Sequence, residues 1–339
     1  MQKRFDVFGI GNAIVDTEVQ VEDSLLRSHG LQKGIMTLVS TEDQMTLLDG
    51  LTDYEQHMAA GGSAANTMVG LAQYGGSAFF SGKVGDDMSG ALYRESMGQA
   101  GVEFDVEPIS GTPTGTCLIL VTSDGERTMQ TSLGAAAYID APDVDTERIA
   151  SSKFIYVEGY LFGSPSGSKA AIAAMEAAKH AGVSVSLTLS DPSMAEFFIE
   201  QFKSATKEYV DLLFCNQFEA MVYAGVQDCN EALKILGQDS PRVFMTCGED
   251  GSLVYDQGEI IRIPGYSVPV IDTTGAGDIY AAGVLYGLAN EMDISISGKL
   301  GSFASARVVS RMGPRLNGRL GNHISSILRG AHPTVDLET

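Results

Sequence analysis

Short apolar runs that end in glycine or a polar residue alternate along the chain with longer stretches whose apolar residues recur at helical spacing. Residues 5–11 are the first such run and suit a central parallel strand, covered on both faces. The same rhythm predicts a helix from about Ser63, a strand over 77–84 and a helix from about Ser89. Further on it predicts a strand at 153–157, an alanine-rich helix at 166–181, a strand at 183–189, a helix near 194–205, and strands at 211–215 and 242–247. Short connections and right-handed crossovers then imply an α/β fold with a doubly wound, mainly parallel sheet flanked by helices. Ligands of such sheets bind at the carboxyl ends of the strands.

Two regions break this rhythm. Within 13–38, Thr17-Glu18-Val19-Gln20-Val21 alternates like a half-exposed strand. Within 115–132, Thr116-Cys117-Leu118-Ile119-Leu120-Val121 and Arg127-Thr128-Met129-Gln130-Thr131 read as a hairpin around Ser123-Asp124-Gly125-Glu126. These strands are expected to form a small β-sheet lid across the main domain. The division that follows is 1–12, 53–104 and 133–331 for the large α/β domain, 13–52 and 105–132 for the lid, and 332–339 for a frayed tail.

Composition narrows the chemistry. At 339 residues, 44% hydrophobic and 19% charged, the chain can bury one large core with a smaller appended subdomain. Its 43 acidic against 22 basic residues, a net charge of −21, argue against nucleic-acid and anionic-membrane partners, both of which select basic patches. Any phosphate it binds must be held by local dipoles, a few cations and a metal. Cys117, Cys215, Cys229 and Cys247 have no CxxC or finger-like spacing and read as reduced thiols in a cytoplasmic protein. Lys3 and Arg4 are followed by Asp6 and Asp16, which interrupt the apolar run, and no segment approaches membrane-spanning length. An untargeted, soluble, cytoplasmic protein is expected.

The strongest local signal is Asp272-Thr273-Thr274-Gly275-Ala276-Gly277-Asp278, a small-residue turn and a carboxylate opening an apolar helical run from Ile279. Backbone N–H groups at such a helix start lack intrahelical partners, and Gly275 and Gly277 leave no side chain to block an anion from them. Asp278 faces that anion and suits a base that takes a hydroxyl proton during phosphoryl transfer; for the local string alone, an N-capping Asp in an ordinary turn is the more usual reading.

Four more segments fall at predicted strand ends. Gly61-Gly62-Ser63-Ala64-Ala65-Asn66 gives glycines for close backbone approach, a serine suited to capping and an amide in the first helical turns. Gly9-Ile10-Gly11-Asn12-Ala13-Ile14-Val15-Asp16 offers an amide and a carboxylate for sugar hydroxyls. A dinucleotide fingerprint fails because Ile14 stands where its third glycine belongs, and no G-x-x-x-x-G-K-[ST] string occurs. Asn216 and Glu219 lie one helical turn apart, placed for a hydrated Mg²⁺ or for a capping box. Thr246-Cys247-Gly248-Glu249-Asp250-Gly251 lets backbone approach a nucleotide or forms a hairpin turn.

In their order these segments resemble the PfkB or ribokinase-like family of carbohydrate and nucleoside kinases, over nearly the whole chain. Gly61 to Asn66, with Gly82-Lys83-Val84-Gly85-Asp86-Asp87 behind it, is similar to the family's N-terminal signature, and Asp272 to Asp278 to its C-terminal one. The resemblance implies ATP and Mg²⁺, a ribokinase-like fold with a β lid, Asp278 as catalytic base and the amides of Gly275, Ala276 and Gly277 as an anion hole. It also implies Asn12, Asp16, Gly62 and Asn66 on substrate hydroxyls, Asn216 with Glu219 organising Mg²⁺, and Asn216, Thr246, Gly248 and Gly251 near the nucleotide. A monovalent cation, K⁺, at Asp272 and Thr274 near the Gly313 loop is a further implication.

Ser63, where ribokinases proper tend to carry lysine, and the opening Gly11 to Asp16 look more like adenosine-kinase-like members. The expected reaction is phosphorylation of the 5'-hydroxyl of adenosine, as in purine salvage, with Leu38, Leu133, Tyr160, Leu161 and Phe162 available as an apolar wall for the base. The alternatives are a kinase for ribose, fructose or its phosphates, or 2-keto-3-deoxygluconate, and a catalytically silent nucleoside sensor. Arg127 is a candidate for a charged acceptor, or else a solvent-facing strand residue. Monomer and homodimer are both compatible with an exposed lid edge.

Overall fold

In the computed structural model, residues 3–124 and 126–334 are described. Their strands, in chain order, are β1 (Phe5–Ile10), β2 (Ile14–Gln20), β3 (Met36–Leu38), β4 (Gln56–Ala60), β5 (Ala78–Ser81), β6 (Val102–Glu103) and β7 (Gly115–Val121). They continue as β8 (Arg127–Ser132), β9 (Ser152–Val157), β10 (Ser184–Thr188), β11 (Leu212–Asn216), β12 (Arg242–Thr246), β13 (Ser252–Asp256) and β14 (Glu259–Ile263).

The large sheet runs β14-β13-β12-β11-β10-β9-β1-β5-β6 and is parallel from β12 to β6. Its inner strands are apolar on both faces because helices cover both, as a parallel sheet requires. On one side Phe8, Ile155 and Leu187 pack against the helix Pro165–His180; on the other Val7, Phe80 and Tyr156 pack against the helices Ser63–Gln73 and Ala276–Ala289. These last two helices approach closely: a Cβ on Gly70 would stand 2.8 Å from Cβ of Ala282. That contact brings the start of one helix against the start of the other, where the site forms.

The small sheet runs β3-β8-β7-β2-β4. Alternation along β7 sends Leu118 and Leu120 to an outer layer with Leu26, Leu47 and Leu51, while Cys117, Ile119 and Val121 group with Ile14 on the other face. The lid therefore has its own small core, capped by the helices Asp23–Ser28 and Thr41–Asp49.

The structure changes three expectations. Strand β4, assigned by sequence to the 53–104 part of the large domain, pairs with β2 in the lid. The helix expected near 194–205 is two helices, Pro192–Phe197 and Ile199–Tyr209, separated at Phe198. Beyond β12 the sheet turns antiparallel, so 246–251 is a hairpin connection around the turn Gly248–Asp250 as well as a strand end. Gly125 in the expected lid turn, and residues 335–339 of the expected tail, lie outside the described residues.

Candidate active site

The helix Ala276–Ala289 starts from Gly275 at φ 76°, ψ 0°, a conformation that strains any L side chain, and a Cβ there would also meet Pro314. No side chain caps this end. The Ala276 N–H turns back to the Thr273 carbonyl at 3.2 Å, so the amide expected as the middle donor of the anion hole is engaged within the turn. Gly275 and Gly277 line the cleft on either side of it, and the absent Gly277 side chain would point into open space. The positive end of the helix dipole thus meets the cleft with backbone only.

One turn on, Asp278 enters the cleft between two donors. Ser63 Oγ donates to its Oδ1 at 2.6 Å, and Asn66 Nδ2 to its Oδ2 at 3.1 Å. Ser63 was expected to cap its own helix; Gly62 holds the N-cap position, at φ 87°, and the hydroxyl reaches across to the base. Asn66 Oδ1 in turn accepts from Arg315 Nε at 2.8 Å, which fixes the amide with its NH₂ toward Asp278. Burial pushes the Asp278 carboxyl up to about 6, against the pull of the Ser63 and Asn66 bonds and of the Arg315 charge.

Opposite stands Asp16 of β2, pushed up to about 7 by burial although Arg315 and Arg127 pull it down. A side chain on Gly61 would collide with the Asp16 carboxylate, which is why small residues precede this helix. Beside it Asn12 gives its backbone N–H and its amide NH₂ to Glu158 Oε1, at 3.2 and 3.1 Å, while Ala64 N–H donates to Oε2 at 2.9 Å. Glu158 is buried and pushed up to about 7 by desolvation. It ties the β1–β2 crossing to the start of the Ser63 helix, and Asn12 itself lines the cleft.

At the far end of the cleft Asn216 and Glu219 form a full capping box: Asn216 Oδ1 accepts from the N–H of Phe218 and Glu219, and both Glu219 oxygens accept from Asn216. Burial lifts Glu219 to about 7. A desolvated carboxylate lining a cavity, with one donor on each oxygen, suits a hydrated divalent cation reached through water. Thr246, Gly248 and Gly251 line the same end.

Asp272 does not line the cleft. It is buried behind the anion-hole turn, where Oδ1 accepts from Thr274 N–H at 2.8 Å and Oδ2 from Gly313 N–H at 2.7 Å. Arg127 of the lid reaches the same Oδ2 at 2.5 Å and Glu18 at 3.0 Å. The arginine is therefore neither solvent-facing nor free for a charged acceptor, and its guanidinium stands where a cation at Asp272 was expected. A carboxylate so filled does not suit a monovalent cation while the lid holds this position.

Asn12, Asp16, Ser63, Asn66, Glu158 and Asp278 border one cavity of about 890 Å³ with the Gly275–Gly277 turn and the Asn216–Glu219 end, whereas Asp272 and Arg315 stand behind its wall. Of the expected base wall, Leu38, Leu133 and Tyr160 line it, whereas Leu161 and Phe162 are buried in the main core. Residues 35–318 match the profile of the pfkB family carbohydrate kinases. The chain belongs to that family. It is 35% identical to an adenosine kinase from Sinorhizobium meliloti, with a TM-score of 0.90 over 95% of this chain and 99% of that one. A probable sugar kinase from Rhizobium etli is 33% identical, with a TM-score of 0.91 over 96% and 99%. An adenosine kinase of Schizosaccharomyces pombe is 28% identical, covering 91% of this chain and 96% of its own. As a pfkB-family kinase the chain is a sugar or nucleoside phosphotransferase, with ATP as co-substrate.

Sequence reasoning missed Glu158 and Arg315. Neither sits in a motif: one directly follows β9 and the other follows Gly313-Pro314, and only the tertiary fold brings them to Asn12 and Asn66.

Proposed function

We propose that this kinase transfers the γ-phosphoryl group of ATP to the 5'-hydroxyl of adenosine. The observation that carries the choice of a nucleoside is the lid's inner face: Ile14, Met36, Cys117, Ile119 and Met129 line the cleft above Asp16. A free sugar would leave that wall against hydroxyls, whereas a purine ring buries it; at about 25 cal/mol per Å² a ring of this size gains a few kcal/mol from such contact.

With the ribose hydroxyls on Asp16 and Asn12, the primary hydroxyl lies toward Asp278. Asp278 accepts its proton as the oxygen attacks phosphorus in line; the bond to the β-γ bridging oxygen breaks, ADP leaves, and the proton stays on Asp278 until solvent takes it. The N–H groups of Gly275 and Gly277 face the oxygens on which charge gathers. When bound, Mg²⁺ neutralises part of the triphosphate charge, and Asn216 with Glu219 would hold it through water. Arg127, steadied by Glu18 within the lid and bound to Asp272 of the main domain, keeps the lid down and water out.

Asp278→Asn tests the assignment. The amide keeps shape and cannot take the proton, so kcat should fall about 10²- to 10⁴-fold with adenosine binding retained. Near-normal turnover would remove Asp278 from the role of base. The neighbour called a probable sugar kinase supports a second reading, a sugar acceptor. ADP release compared across adenosine, inosine, ribose, fructose and 2-keto-3-deoxygluconate separates the two, and adenosine binding without turnover would instead mark a sensor.

A further inference from the structure

Arg315 is mostly buried, yet its hydrogen bonds go to neutral acceptors: Asn66 Oδ1 at 2.8 Å, Ser96 Oγ at 3.1 Å and the Gly61 carbonyl at 3.3 Å. A desolvated guanidinium costs several kcal/mol unless other charges answer it. Its electrostatic partners are the phenol of Tyr93, which is neutral because burial raises it, and two carboxylates that line the cleft, Asp16 and Asp278. Arg315 also sits on a loop that is pinned to the anion-hole turn, through Gly313 N–H on Asp272 and through Pro314 packed on Gly275.

We propose that Arg315 is a positioning residue for phosphoryl transfer: it orients the Asn66 amide toward Asp278 and supplies the positive charge that lets Asp16 and Asp278 be ionised together. The two carboxylates would otherwise repel each other across a desolvated pocket, and one would take a proton. The other charged or titratable groups that face Asp278 are Glu158 directly after β9, Glu219 beyond β11, and the phenols of Tyr156 and Tyr160. None of these brings positive charge. Arg127 acts on Asp16 from the lid and is bound to Glu18 and Asp272.

The role rests on the nucleoside-kinase reading and is tested with Arg315→Met and Arg315→Lys. For Arg315→Met the acid limb of kcat against pH should move upward by up to about one unit, because the guanidinium acts on Asp278 through Asn66 and at longer range than the Ser63 hydroxyl. Arg315→Lys keeps the charge without the fork, so its limb should stay near the wild-type position while KM for adenosine rises. A purely packing role would lower the plateau of both variants and leave the limb in place, which would overturn the proposal. Carboxyl titration by NMR of ¹³C-aspartate-labelled protein, with Asp278→Asn for assignment, reads the same shift without turnover. Wild-type protein inert toward adenosine would defeat the functional reading; an unshifted Asp278 titration in Arg315→Met or a shifted one in Arg315→Lys would defeat this one.

Discussion

A carboxylate works as a general base when its proton affinity lies near the working pH, and at Asp278 burial and three neighbours set that affinity between them. The Ser63 hydroxyl is the strongest of the three that pull it down. Ser63→Ala should therefore raise the Asp278 carboxyl above about 6 and carry the acid limb of the kcat profile upward by roughly one unit, since a hydrogen bond to a charged group is worth about 1.5–3 kcal/mol and one unit about 1.4. An unchanged limb in the pH profile would mean the serine does not reach the base during catalysis. Asp278 was legible in the sequence because glycines, small residues and a carboxylate stood together at a helix start. Its partners were harder to read: Ser63 looked like a cap, and Arg315 looked like any arginine in a loop.

Among the elements, the lid carries the substrate carboxylate and also latches onto the anion-hole turn through Arg127 and Asp272. The guanidinium supplies the charge at Asp272 that sequence reasoning had given to K⁺. Wild-type kcat should accordingly be the same in potassium and in tetramethylammonium salts. Arg127→Gln should lower kcat and make it sensitive to potassium, as measured by coupled ADP release in the two salts. A strong potassium requirement in the wild type would show that the latch opens during turnover. The alternating α/β pattern made the main sheet readable. By contrast β4, Gln-His-Met-Ala-Ala, has neither β-branched residues nor clear alternation, and it is a strand because β2 offers it an edge. The break at Phe198 and the antiparallel β13 and β14 depend likewise on tertiary neighbours, which local periodicity does not report.

For the molecule as a whole, four raised carboxyls have a thermodynamic cost. Asp16, Glu158 and Glu219 lie at about 7 and Asp278 at about 6, against values near 4 in an unfolded chain. Between those limits the folded protein binds more protons than the unfolded one, so stability falls as pH rises and the loss is complete above about 7. Self-repulsion of a chain with net charge −21 acts in the same direction. The lowered carboxyls of Asp87 and Asp124 lose their contribution only in stronger acid, outside this window. The ligand-free protein should thus melt at a lower temperature at pH 8 than at pH 6 by calorimetry; the reverse order would mean these groups are ionised at little cost.

The two sheets are also interleaved along the chain. Phe5 pairs with Ser152 and Ile14 with Gly115, so β1 and β2, three residues apart, each wait for a distant strand before both of their edges are filled. Pairings of such long sequence separation slow folding, because loop closure must precede the contacts that reward it. Neither domain is a contiguous piece that could form first and template the other. Refolding followed by lid and core probes should show both gaining structure in one common slow phase, with the cleft appearing as the chain's last tertiary feature.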